Sequence, residues 1–366
     1  MVEWKKLSEV CSVHTGSQLN RNNMIEDGLY PVVNGGKDVS GFTNEYNETA
    51  NNITISQGGE SAGYVNWITT NFWAGAHCYV VENNERVIKR YLYHTLKYKE
   101  REIQLSKQGA GIPGLNRNTL YKQVVPVPSK SEQNRIVGIL DTFTASIENL
   151  KEQITQRRKQ YEYYRDQLLD LEGKEGVEIK TLGTICHIGD GLHGTPEYDE
   201  NGDYFFINGN NLSNGHIILK SDTKRVNEEM FAKYGIELNT TSILMSINGT
   251  IGNIAFYHNE RIVLGKSAAY FQVRKKDILD YKYLYFYLQT QKANDYYQSM
   301  LTGSTIKNLG LKALRTFEIP IPSLPEQSRI VSILDTFEAS IANLEAQLSQ
   351  REKQYEYYRN KLLTFE

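Results

Sequence analysis

The sequence predicts an α+β protein built twice over. Two globular units of mixed α/β character are separated by two long α-helices that form an antiparallel coiled coil, in a pseudo-two-fold A-h-A′-h′ order. Three observations predict it. "EQNRIVGILDTFTASIENLKEQITQRRKQYEYYRDQLLDLE" (132–172) aligns without gaps to "EQSRIVSILDTFEASIANLEAQLSQREKQYEYYRNKLLTFE" (326–366), with 28 of 41 positions identical. Both stretches carry apolar residues at alternating steps of four and three, the coiled-coil period. The units ahead of them also begin alike, "VEWKKLSEVCSVHTG" (2–16) against "VEIKTLGTICHIGDG" (177–191).

Taken in order, the first unit spans 1–131 and the first helix 132–172. The second unit spans 173–325 and the second helix 326–366. Unit starts match at an offset of 175 and unit ends at 194, so the second copy has gained about 19 residues in its middle. At the ends, Ile112 faces Ile306, Leu115 faces Leu309 and Pro126 faces Pro320. The middles differ: "PVVNGGKDVSGF" stands where "FFINGNNLSNGH" stands. Apolar runs bounded by Gly and Asn predict strands and tight turns. "RVIKRYLYHTLKY" (86–98) and "YKYLYFYLQTQKANDYY" (281–297) read as helices.

The seam of the first helix runs through Ile136, Leu140, Phe143, Ile147, Leu150, Ile154, Arg157, Tyr161, Tyr164, Leu168 and Leu171. In the second it runs from Ile330 to Phe365 at the same steps, with Arg351 opposite Arg157 in the alignment. A seam arginine either fixes register or snorkels its head to water. A two-fold relation between the copies makes the pair antiparallel, and about 40 residues at 1.5 Å each give a rod of roughly 60 Å.

Composition is that of an ordinary globular protein, with 40% hydrophobic and 23% charged residues and a net charge of −2. The helical segments are acidic, so a nucleic-acid surface would be a local patch on the globular units. Cys11, Cys78 and Cys186 are odd in number and form no C-x-x-C pair, which points to buried thiols, a reducing cytoplasm and neither zinc nor disulfide. "MVEWKKLSEV" has no apolar core, and no window is apolar enough to span a membrane, so neither a secretory signal nor a membrane association is expected. No phosphate loop, "NPPY"-type methyltransferase motif or zinc-deaminase set occurs, and His77, His94, His187, His193, His216 and His258 lack metal-site spacing. The loop "GDGLHGTPEYDE" (189–200) is read as a turn or a nucleic-acid contact rather than a catalytic centre. No cofactor is expected on this chain.

The alternation of variable unit and near-identical helix resembles the specificity subunit of Type I restriction-modification systems. "VPVPSKSEQNRIV" (125–137) and "IPIPSLPEQSRIV" (319–331) are similar to the family's junction between recognition domain and long helix. "WKKLSEVCSVHTG" (4–16), "YPVVNGG" (30–36) and "NGTIG" (248–252) resemble its recognition-domain framework. The resemblance covers essentially the whole chain. It implies two target recognition domains, each reading one half of a bipartite, asymmetric site in double-stranded DNA, with the helices setting the gap. It also implies two methyltransferase (modification) subunits docked on the helices and restriction subunits joining through that core, with no catalysis by this chain. A coiled-coil scaffold binding protein or glycan, and an enzyme in its own right, are the alternatives.

Phosphate neutralisation calls for Lys and Arg, and base reading for Arg, Asn, Gln or Lys on loops. In the first unit the candidates are Gln18, Arg21, Asn34, Lys37, Gln57, Lys107 and Gln108. In the second they are His193, Asn208, Asn210, Asn211, Asn248, Lys266, Ser304 and Lys307. Asn and Gly in short loops also serve turn geometry alone. Within the repeated "KQYEYYR" (159–165 and 353–359), Tyr163, Arg165, Tyr357 and Arg359 fall outside the seam. They are the expected docking face for the methyltransferase.

Overall fold

The computed structural model describes residues 2–107, 113–303 and 305–365. The chain divides into two compact units, Met1–Glu152 with Glu345–Glu366, and Gln153–Leu344. From the N-terminus come β1 (Glu3–Lys6), β2 (Cys11–Thr15), β3 (Tyr30–Val33), β4 (Gly41–Thr43), β5 (Asn52–Ser56), β6 (Val65–Ile68), β7 (Trp73–Ala74) and β8 (Cys78–Asn83). Then follow α1 (Lys89–Tyr98), α2 (Glu100–Leu105), α3 (Arg117–Tyr121), β9 (Val124–Val127) and the 40-residue α4 (Lys130–Leu169). The second half continues with β10 (Glu178–Thr181), α5 (Leu182–Ile185), β11 (Cys186–Asp190), β12 (Tyr204–Ile207), β13 (Leu212–Ser213), β14 (His216–Ile217), β15 (Arg225–Val226) and α6 (Glu228–Tyr234). It closes with β16 (Ile243–Asn248), β17 (Thr250–Phe256), β18 (Ile262–Leu264), β19 (Ala268–Val273), α7 (Tyr281–Tyr287), α8 (Gln291–Met300), α9 (Leu311–Thr316), β20 (Glu318–Ile321) and α10 (Leu324–Leu363).

Each unit repeats one plan. A four-stranded antiparallel sheet, β2-β8-β5-β6 in the first and β11-β19-β16-β17 in the second, forms the centre. A three-stranded sheet lies beside it, β4-β3-β7 or β15-β12-β18, with its last pair parallel. Central strands are covered on both faces, so they lack the polar–apolar alternation of a half-exposed sheet. In β8, Tyr79 and Val81 join the core beneath α1 while Cys78 and Val80 join the core toward β3 and β7. All three cysteines are buried, and burial pushes each thiol up to about 12.

The added residues of the second unit have two destinations. One is the β12–β15 connection, residues 208–224 against 34–40 in the first unit, and the other is α6. The apolar run 281–297, read as one helix, is two. It breaks before Thr290, which is buried and caps α8 by accepting from the Ala293 N–H.

The junction motif has a physical reason. Prolines at 126 and 128 keep the chain extended as β9, which pairs with β1, and Ser129 Oγ accepts from the Glu132 N–H to start α4. Gln133 is fully buried: its Nε2 donates to the carbonyls of Arg86 and Pro128, and its Oε1 accepts from the Ile88 N–H. Gln327 does the same with Ile278, Pro322 and Asp280. The shared "EQ" is therefore a staple between helix and globular body. Tyr91 and Tyr283 reinforce it by donating to the carbonyls of Pro126 and Pro320.

The helices begin and end two to three residues earlier than expected, at 130–169 and 324–363 rather than 132–172 and 326–366. They pair antiparallel. In the first unit Phe143 stacks on Tyr358 and Lys151 pairs with Glu352. In the second Tyr164 stacks on Phe337, and Tyr161 Oη donates to Glu338. The seam arginines lie over aromatic rings, Arg351 5.7 Å from the Phe143 centroid and Arg157 5.9 Å from that of Phe337. Toward each C-terminus the buried stripe slips by one residue. Leu169 and Leu363 are buried where Leu168 and Leu362 were expected, because these ends pack on a globular body as well as on a helix.

Candidate nucleic-acid interface

Five chain segments meet at one edge of the first unit: 16–18, 33–35, 56–58, 74–78 and 113–115. Four backbone hydrogen bonds hold them, from Ser17 N to Ala74 O, Gly75 N to Val33 O, Gln57 N to His77 O and Leu115 N to Gln57 O. The second unit repeats them one for one, from Leu192 N to Leu264 O, Gly265 N to Ile207 O, Ile247 N to Ser267 O and Leu309 N to Ile247 O. The framework is thus the same in both units, and the side chains it presents differ.

Two glycines explain the close approach. A side chain at Gly75 would collide with the Asn34 carboxamide, and one at Gly265 with that of Asn208. Asn34 Oδ1 in turn accepts from the His77 N–H, and Asn208 Oδ1 from Ser267 Oγ. These two asparagines, expected as DNA contacts, are occupied in shaping the edge. Asn211 is a firmer correction. It is only 5% exposed, its Nδ2 donates to Ile218 O and Thr223 Oγ1, and its Oδ1 accepts from the Asn208 N–H. Buried, and with both amide donors committed inside the unit, it presents no donor to a base edge.

Gln18, Arg21, Lys37, His193, Asn210, Lys266 and Lys307 are exposed. His193 Nε2 lies 2.7 Å from Asp190 Oδ2. Lys107 is half-buried and donates weakly to Glu60 O at 3.4 Å. Gln57 is half-buried at the position that Ile247 fills in the second unit, and Asn248 ends β16 in a bridge to Asn308. Gln108 and Ser304 lie outside the described residues. Two exposed residues at the first edge were missed, His77 and Arg117, whose Nη2 donates to Thr15 Oγ1. The repeat held a signal for His77, since "GAHC" (75–78) aligns with "GKSA" (265–268), which holds the candidate Lys266.

The repeated tyrosine string splits into two environments. Tyr163 and Tyr357 are 61% and 59% exposed, and each makes an edge contact with the next tyrosine. Arg165 is not surface-presented as expected. It is 9% exposed, lies over the Tyr161 ring and pairs with Asp166, which accepts from the Gln291 N–H at the start of α8. Arg359 leans on Tyr98 and Tyr355. Both arginines answer to a third element, the globular body, which a two-helix reading omits. Along α10 a groove of about 500 Å³ is lined by Val331, Asp335, Thr336 and Ala339. The same four residue types recur in α4 as Val137, Asp141, Thr142 and Ala145.

Among the described residues no helix is long and apolar enough to cross a membrane. Residues 1–157 and 174–352 match the family model of the Type I restriction modification DNA specificity domain. A putative type I restriction enzyme specificity subunit of Haemophilus influenzae is 29% identical over 100% of this chain and 96% of its own length. A type I restriction enzyme specificity subunit of Escherichia coli is also 29% identical, over 100% and 94%. In fold, the chain is similar to the crystal structure of a Type I restriction-modification S subunit from Mycoplasma genitalium, with a TM-score of 0.65, 20% identity and coverage of 100% and 97%. With its matched domain occurring twice, the chain belongs to the type I restriction-modification DNA specificity family, as a specificity subunit.

Proposed function

We propose that this chain reads a bipartite site in double-stranded DNA on behalf of a methyltransferase, and performs no catalysis itself. One observation carries the reading: the same five-segment edge is built in both units with different exposed side chains. A constant framework with variable tips suits recognition of two different half-sites. Lys37, Lys107, Lys266 and Lys307 are assigned to phosphates, and Gln18, Arg21, Gln57, His193, Asn210 and Asn248 to base edges or sugars. α4 and α10 set the gap between half-sites. Two methyltransferase subunits dock on the exposed Tyr163 and Tyr357 and the repeated helix face beside them. Arg165 orders that region from within rather than contacting a partner. Restriction subunits join through the methyltransferase core.

The test is methylome sequencing of cells expressing the methyltransferase partner with and without this chain. One bipartite adenine-methylated motif should appear only when the chain is present. An unchanged methylome with the partner expressed would sink the proposal.

A further inference from the structure

The β12–β15 connection leaves the common framework and has no counterpart in the first unit, where β3 and β4 are joined by residues 34–40 alone. It starts at the candidate edge, where Ser267 Oγ accepts from the Gly209 N–H and donates to Asn208. It then makes the β13–β14 hairpin and returns through 218–224 to β15. Asn211, buried beneath, ties this return to the edge through Ile218 O and Thr223 Oγ1, and the Ile218 N–H donates back to Asn211 O. A tight turn follows, with the Lys220 N–H donating to Thr223 Oγ1 and the Thr223 N–H to Lys220 O. The return is therefore an ordered projection.

Its surface is basic. Lys220 and Lys224 are both exposed, and Asp222 is the one acid between them. Among the described residues neither lysine forms an ion pair. Arg225 is different, because its guanidinium lies 4.4 Å from the Phe205 centroid and donates to Gly202 O. Ile218 and Leu219, 42% and 44% exposed, sit directly before the lysines. Two cations on a fixed turn, beside apolar groups able to lie against sugars, match a nucleic-acid backbone.

We propose that the 218–224 projection is a phosphate clamp, through Lys220 and Lys224, on the half-site read by the second unit. It rests on the DNA-reading function proposed above. It adds that the two half-sites are held unequally, the second with two phosphate contacts beyond those assigned to the edge lysines of either unit. As a phosphate contact it contributes affinity without choosing the sequence.

The experiment uses the full chain assembled with its methyltransferase, titrated by fluorescence anisotropy against a duplex carrying the methylated motif over a range of salt. Lys220→Gln with Lys224→Gln should shallow the slope of log affinity against log salt by about two units. Lys220→Glu with Lys224→Glu should weaken binding further. Both variants should methylate the same two half-sites, and both should melt with the parent because the changed side chains are exposed. An unchanged slope in both variants overturns the clamp while leaving DNA reading intact. So does a change in the second half-site's preferred sequence, which would make these lysines base readers. Failure of the parent complex to bind DNA overturns the clamp and the function beneath it together.

Discussion

Two buried side chains show how the same scaffold is wired differently in its two copies. In the first unit His94 is fully buried, its Nε2 2.7 Å from Asp141 Oδ1, with Tyr355 and Arg90 alongside. Burial holds its imidazole below the ordinary value despite the Asp141 bond. In the second unit Glu338 takes the place of Thr144 and accepts from the hydroxyls of Tyr161 and Tyr285, and burial pushes its carboxyl up. The signs are opposite. A histidine with a depressed folded pKa leaves the unfolded chain binding more protons, so stability is lost as the pH falls below about 6.5. A raised carboxyl takes its proton first in the native state, so its contribution grows as the pH falls toward about 4 and is lost as the pH rises through the folded value. All three tryptophans, Trp4, Trp67 and Trp73, belong to the first unit. The stability read by tryptophan-detected unfolding should therefore fall on mild acidification, and His94→Gln should flatten that trend. Glu338→Gln, which keeps an acceptor for both hydroxyls, should raise neutral-pH stability in circular dichroism while leaving the tryptophan transition in place. The staples give a companion expectation. Gln133→Leu strands the Ile88 N–H and two carbonyls at a cost of about 3 kcal/mol in the tryptophan transition, and Gln327→Leu costs the second unit a similar amount. Equal urea midpoints for parent and variants would remove the staple role.

The long helices were the most legible elements, because a heptad repeat is local and needs no knowledge of the rest of the chain. Their antiparallel sense was legible too, through the duplication, and the Phe143–Tyr358 and Phe337–Tyr164 stacks carry it in side chains. Arg165 was not legible, since its burial depends on Asp166 and the start of α8, which lies more than a hundred residues further along the chain. Asn211 was misread for a related reason. Its residue type suits both a base edge and a turn, and only the return of 218–224 over it decides between them. The exposed tyrosines follow from the helix alone, as Tyr163 and Tyr357 lie off the seam and, among the described residues, no globular element covers them. Exposed aromatics at matching places on two helices favour two copies of one partner. Tyr163→Ala with Tyr357→Ala should thus cut co-purification of the methyltransferase by tenfold or more, on the order of 1–2 kcal/mol per lost ring. Each single variant should leave one copy bound. Full recovery of both copies by the double variant would move the docking face elsewhere, with the groove along Val331 and Asp335 the next place to look.

On the proposed reading, two readers joined by paired helices separate what is recognised from how far apart it is recognised. The loops at each edge hang on hydrogen bonds within their own unit, such as Leu115 N to Gln57 O and Leu309 N to Ile247 O, and none of these involves α4 or α10. Helix length should therefore be adjustable without disturbing either reading edge. Four residues added to α4 and four to α10, at facing positions between the stapled ends, insert one turn and shift the seam by a stutter that coiled coils absorb. The added rise is about 6 Å. Against about 3.4 Å per base pair, the preferred gap should lengthen by about one or two base pairs. Methylome sequencing of cells carrying the lengthened chain should return both original half-sites at the wider gap. The original gap would show that the helices do not set the distance. A changed half-site would show that helix and edge are coupled, against the independence that the hydrogen bonding implies.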